Sequence, residues 1–317
     1  MPRYAPQSAS KSPRFSGIRT FMRLPNVLDM QDVDFAIVGV PFDTGASYKT
    51  GARFGPSQIR ETSTLQRNYS MNLDVNIFDY LSGVDYGDLP ITPGYIHETY
   101  RQIEEGLTPI LDAGVMPIVM GGDHSISLAE LRAVAKKFGP VALVHFDSHL
   151  DTWDNYWGMK YTHGTPFRRA CEEGLLDTAH SIQVGIRGSQ YGPEDVQDSR
   201  ALGFEVITAN EMHEIGMKAV GERIRNRVKD AKTFFSFDID FVDPAYAPGT
   251  GTIEVGGFTG YETISLIREM KDLHFVAADF VEVLPAIDPA GITSYMAANV
   301  MHEFIAALAL QRKNGSR

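Results

Sequence analysis

Cysteine is nearly missing. One thiol, Cys171, in 317 residues excludes an intramolecular disulfide framework and any cysteine-built zinc site. It points to a reducing compartment, most simply the cytoplasm. Basic charge is also short: 29 Lys and Arg against 40 Asp and Glu leave a formal net charge of -11. That balance argues against the basic face of a nucleic-acid binder and favours cations as partners. No apolar run approaches the roughly 18 residues of a membrane span, and the opening "MPRYAPQSASKSPRFSGIRTFMRLP" has no signal-peptide core. With no repeat, low-complexity tract or Pro/Gly linker, residues 1–317 are expected to form one domain. Residues 1–19, rich in Pro, Ser and Arg, read as an arm: a flexible tail to about Lys11, then a subunit contact in the more apolar "TFMRLP" at 20–25.

What is present is a large apolar complement, 43% of the chain, in short runs that alternate with segments of helical period. That order signals a parallel sheet covered on both faces. Eight strands are expected at 34–40, 84–89, 115–120, 141–147, 181–186, 204–209, 233–240 and 275–283. Helices are expected at 95–113, 217–231 and 293–313, among others. The loops after these strands are polar and include "GGDHS" (121–125), "HLDTWDNYWGMKYTHGTPF" (149–167) and "LPAIDPAGI" (284–292). Ligands of open α/β sheets bind just outside the carboxyl ends of the strands, so the loops are expected to surround one site.

The chemistry concentrates in "HFDSHLD" at 145–151. If the segment is extended, alternation places Asp147, His149 and Asp151 on one ridge. Asp238 and Asp240 in "SFDID" share the same i, i+2 relation, and His124 ends the run before it. A Gly-Gly-Asp-His turn alone is more often only a turn, and a lone "DID" is commonly a capped strand end. Together they bring four carboxylates and two imidazoles to one crevice, where like charges cannot all stay ionised without cations. No Lys or Arg lies in these motifs, whereas two divalent ions would compensate the charge. The mixed nitrogen and oxygen donors suit Mn²⁺ best, accept Ni²⁺, Co²⁺ or Zn²⁺, and suit Mg²⁺ poorly.

"GGDHS", "HFDSHLDT" and "SFDIDFVDPAYAPGTGT" resemble the three signature blocks of the ureohydrolase family, in its agmatinase-like branch, and the likeness spans nearly the whole chain. The resemblance implies a three-layer α/β/α fold with an eight-stranded, mostly parallel sheet, and a binuclear manganese centre. One ion would be held by His124, Asp147, Asp151 and Asp238, the other by Asp147, His149, Asp238 and Asp240, with Asp147 and Asp238 bridging. It further implies that His163 in "YTHGTPF" shuttles a proton to the leaving amine and that Glu282 in "DFVEVLP" holds the guanidinium. These two, with Asp151, form the expected catalytic group. The products would be urea and an amine, and the assembly a homotrimer or homohexamer.

Where arginases follow the D-x-H-x-D string with a polar residue, commonly Asn, this chain has Thr152, Trp153 and Asp154. That departure points away from arginine toward agmatine, with Trp153 and Asp154 expected to receive its ammonium. The other substrates are guanidino acids, such as those of guanidinobutyrase, guanidinopropionase and proclavaminate amidinohydrolase, whose carboxylate would call on Lys160 or Arg53. Two readings from other classes are a catalytically silent partner subunit and a single-zinc, deacetylase-like hydrolase. The retained ligands, His163 and Glu282 count against the first, and the number of carboxylates against the second.

Overall fold

The computed structural model describes residues 2–315. The eight expected runs become strands β1 (Phe35–Gly39), β2 (Gly83–Asp88), β3 (Met116–Met120), β4 (Ala142–Phe146), β5 (Ile182–Ile186), β6 (Glu205–Thr208), β7 (Lys232–Asp238) and β8 (His274–Val281). They form one sheet in the order β2-β1-β3-β8-β7-β4-β5-β6, with every pairing parallel. Burial on both faces is why each strand reads as a nearly continuous apolar run. On one face Ile37, Phe146, Phe235 and Phe237 pack with helices Gly55–Ser63, Met217–Val228, Gly260–Glu269 and Ile292–Lys313. On the other, Val38, Leu143 and Phe234 pack with helices Ile96–Asp112, Ser127–Phe138 and Pro166–Glu172. The result is a three-layer α/β/α architecture.

Topology places the site. The chain leaves β3, crosses over β8 and β7, and re-enters the sheet as β4, so four central strands from distant parts of the sequence end side by side. Their carboxyl ends carry His124, Asp147, Asp238 and Glu282. The turn after β3 is packed so closely that a Cβ on Gly122 would sit 1.7 Å from the carbonyl oxygen of Phe42. Glycine there lets the loop after β1 rest on the turn.

Two expectations about the start of the chain change. The tail before Lys11 is tied down at Tyr4, whose N–H donates to Ser82 Oγ at 2.9 Å, and at Gln7, whose N–H donates to the carbonyl of Arg23 at 3.1 Å. The segment "TFMRLP" is not free for a neighbour: Phe21, Met22 and Leu24 are buried in the chain's own core. Backbone bonds from Phe21 N to Asp85 and from Met22 N to Ser63 hold it there. The final helix is likewise spent internally, with Phe304 stacked on Phe235 at 5.4 Å. A short antiparallel ladder, Tyr69–Ser70 against Val75–Asn76, was not expected, because two-residue strands carry no periodic signal. Among the described residues no helix is long and apolar enough to cross a membrane.

Candidate metal centre and substrate cavity

β4 ends at Phe146, and the residues after it do not continue as an extended ridge. Asp151 adopts a left-handed backbone with φ of 53°, a turn that residue alternation cannot anticipate. Convergence is reached by that turn instead. His124 Nδ1 lies 2.9 Å from Asp151 Oδ2 and 3.3 Å from Oδ2 of both Asp147 and Asp238. His149 Nδ1 lies 3.0 Å from Asp240 Oδ2 and 3.4 Å from Asp147 Oδ1. Two ligand clusters result, His124 with His145, Asp147 and Asp151, and Asp147 with His149 and Asp240. Asp147 is common to both and turns one oxygen toward each imidazole.

The electrostatics show why these groups need a cation. Burial raises the pKa of Asp238 well above the usual carboxylate range, and the neighbouring Asp240 and Asp147 push it further. Burial and Asp147 also raise Asp240. Burial opposes a charged His124, yet bonds to Asp147, Asp151 and Asp238 outweigh it and hold its pKa well above an ordinary imidazole's. His149 is raised in the same way against its own burial, chiefly by Asp240 and Asp147. Protons and metal ions compete for such donors. The fit to metal is direct: His124 Nδ1 and Asp240 Oδ2 are buried without a hydrogen-bond partner, although oppositely natured atoms lie about 3 Å away. Atoms aimed at a shared point rather than at each other are what coordination requires.

His163 and Glu282 join the same site. Glu282 has a left-handed φ of 64°, which turns its side chain back over the end of β8. Its Oε1 accepts from the backbone N–H of His124 at 3.0 Å and lies 3.0 Å from His163 Nδ1. Ser47 Oγ is 2.6 Å from the other ring nitrogen of His163. Burial alone would lower the pKa of His163, but the bond to Glu282 and its charge overcome that, and the imidazole is pushed up to about 9. Asp123 ties the loops together by accepting from Gly45 N at 2.7 Å and Ser125 N at 3.0 Å.

A cavity of about 370 Å³ opens over these groups, lined by His149, Asp151, Asp238 and His163 on its floor and by Trp153, Tyr156, Tyr191, Gln190 and Thr252 above. Trp153 is thus among the cavity residues. Asp154 is not: its carboxylate is drawn 2.7 Å from Arg169 Nη2, a buried guanidinium that needs a counter-charge. Arg53 is clamped on Asp43 and Lys160 is exposed, so neither lines the cavity. Tyr156 belongs to the aromatic loop that the sequence marks for the substrate tail, whereas His145, Ser47 and Tyr191 were not singled out as site residues. His145 did carry a signal, as a titratable side chain two residues before Asp147 inside an apolar strand.

Comparison with known proteins agrees with this geometry. The sequence pattern of the Arginase family matches residues 33–307. Guanidinobutyrase of Pseudomonas aeruginosa is 42% identical over 96% of this chain and 97% of its own. A mitochondrial agmatinase of Gallus gallus is also 42% identical, over 96% of this chain and 89% of its own. Among solved structures, proclavaminate amidino hydrolase from Streptomyces clavuligerus superposes with a TM-score of 0.91 at 40% identity, covering 94% of this chain and 99% of that one.

Two outcomes test the site. Asp147→Ala should leave no tightly held ion after dialysis, whereas His149→Ala should lose one, as read by metal content per chain; two ions retained in Asp147→Ala would refute the shared carboxylate. In metal-free protein the His163 ring should titrate near 9 by NMR, and Glu282→Gln should shift that midpoint downward, because the largest influence opposing burial is removed while Asp151 and Asp123 remain. The sign fixes the stability window too: the His163–Glu282 pair stabilises fully below the ordinary imidazole pKa and loses this contribution as pH rises through about 9.

Proposed function

The chain belongs to the arginase family, as a hydrolase of guanidino compounds, and on that footing we propose that it cleaves agmatine to urea and putrescine. The observation that carries this choice is the upper wall of the cavity. Trp153, Tyr156 and Tyr191 meet edge to face, at centroid distances of 5.7 to 6.4 Å, and among the described residues no Lys or Arg lines the cavity. Aromatic faces attract an ammonium by about 0.5–2 kcal/mol, whereas a carboxylate would lose water there without gaining a cation. With Asp154 committed to Arg169, the ionic part of the tail contact disappears and the aromatic part remains. The rival is a guanidino acid, favoured by the neutral donors of Ser189, Gln190 and Thr252 on the same wall.

In this reading Glu282 takes the guanidinium through the carboxylate oxygen not engaged by His124 N and His163, and turns the central carbon toward the floor. His124, Asp147, Asp151 and Asp238 would hold one Mn²⁺, and Asp147, His149, Asp238 and Asp240 a second, which would supply positive charge that lowers the pKa of a nearby water. Asp151, which lines the cavity, takes the role of accepting the proton of the attacking water. Attack forms the new C–O bond, and the C–N bond to the alkyl chain breaks as His163 delivers a proton to the departing nitrogen. Ser47 steadies the ring of His163 from the side opposite Glu282. A cytoplasmic location and assembly as a trimer or hexamer belong to the same proposal. Exposed Trp157, Met159 and Tyr191 near the cavity mouth offer apolar contact area for such an assembly.

His163→Asn should keep the wild-type metal content and lower turnover by roughly 10² to 10⁴; unchanged turnover between pH 7 and 10 would remove His163 from the mechanism. Urea release from Mn²⁺-loaded protein, compared for agmatine, 4-guanidinobutyrate and 3-guanidinopropionate, decides the substrate. Agmatine should lead 4-guanidinobutyrate by about tenfold in kcat/KM, and the reverse order would transfer the assignment to the acids.

A further inference from the structure

Beneath the layer of metal ligands the sheet carries a second polar row. Gln183, His145, Ser236 and Asp279 are register partners across β5, β4, β7 and β8, and each is 0% exposed. Each interrupts an otherwise apolar strand at a depth where polar groups cost stability unless they are bonded. Two of them touch metal ligands: His145 Nε2 lies 2.8 Å from Asp147 Oδ2, and Ser236 Oγ lies 2.8 Å from His124 Nε2. Gln183 closes one end of the row, with its amide nitrogen 3.0 Å from His145 Nδ1 and its oxygen accepting from Ser199.

The other end is incomplete. Asp279 Oδ2 accepts from Ser127 Oγ at 2.5 Å, but its Oδ1 and both oxygens of Glu130 are buried without a hydrogen-bond partner. Glu130 projects from helix Ser127–Phe138 and is 1% exposed. Burial raises the pKa of each, and the charge of Asp279 raises Glu130 further. Two carboxylates at that depth cannot both ionise without a cation, so the pair cannot carry two negative charges. Asp279 is the register partner of Ser236 across the sheet.

We propose that Asp279, acting through Ser236, is a positioning residue for the imidazole of His124, and that Glu130 holds the pair at a single negative charge. The His124 Nε2–H donates to Ser236 Oγ, and the serine hydroxyl is oriented toward Asp279. This leaves the lone pair on Nδ1, the ring atom that faces Asp147, Asp151 and Asp238. Fixing the tautomer of a liganding histidine in this way raises its basicity and its metal affinity. The inference rests on His124 being a metal ligand.

The test is Mn²⁺ titration of the full-length protein by calorimetry, with metal content measured in parallel. Wild type should bind two ions per chain; none would sink both the metal centre and this inference. Asp279→Asn should weaken one ion by about 10- to 100-fold and leave the other within about threefold. Ser236→Ala should give the same loss, the double variant no more than either alone, because both act along one path, and Ser236→Thr should restore affinity. Glu130→Gln, which mimics the protonated acid, should remain within about threefold of wild type, and a larger loss would overturn the shared proton. A merely structural role would lower Tm while leaving both Mn²⁺ affinities intact, and that result in Asp279→Asn overturns the inference. Should Asp279→Asn fail to fold, Ser236→Ala decides alone, since it removes a single hydroxyl.

Discussion

Four carboxylates in one water-poor crevice are the constraint on which the rest of the molecule depends. Asp147, Asp151, Asp238 and Asp240 are all 5% exposed or less, and mutual repulsion at that depth would unfold the region if it were uncompensated. Everything near them is arranged to hold the charges together: His124 and His149 between them, His145 behind Asp147, and the backbone N–H groups of His149 and Asp240 bonded to Asp147 and Asp238. Where a dehydrogenase or kinase uses the ends of a parallel sheet to cradle phosphate, this sheet uses them to gather negative charge.

Sequence made the sheet legible because a strand buried on both faces has a simple signature. All eight runs were found, and the errors lie at their ends. The six ligand candidates, with His163 and Glu282, come together because they follow strands that end side by side. What sequence could not show was backbone turning at single residues. The left-handed Asp151 and Glu282 break the alternation on which a ridge of Asp147, His149 and Asp151 was expected, although the same side chains still meet. Asp154 reads as a cavity residue from its neighbours Trp153 and Tyr156, but a buried Arg169 fifteen positions later claims it. The apolar "FMRLP" segment reads equally well as a surface for a neighbour or as core, and only the fold shows that its own sheet consumes it.

The polar interruptions of β4, β7 and β8 are the instructive case. "ALVHF", "FFSF" and "FVAADFV" each contain one residue that does not fit a fully buried strand. Taken singly, His145, Ser236 and Asp279 look like noise in a hydrophobic pattern. Their alignment in one row depends on register between strands whose paired residues, His145 with Ser236 and Ser236 with Asp279, are 91 and 43 residues apart in the chain, and no local window contains it. Functional information in this protein is thus written twice, at the loops where chemistry was expected and one layer below them, where strand pairing alone reveals it.

The pairing of β3 with β8 aligns Ile118 with Ala278, and this seam has a consequence for how the protein forms. Its closure requires a loop spanning half the chain, the kind of non-local contact that slows folding. Strand β8 comes late in synthesis, so a growing chain exposes the clustered aspartates of β4 and β7 before the seam can close. Glu282, whose carboxylate secures the His124 turn, arrives only with β8. Completion of the candidate metal site, through the bond from His124 N to Glu282, is thereby tied to closure of the sheet.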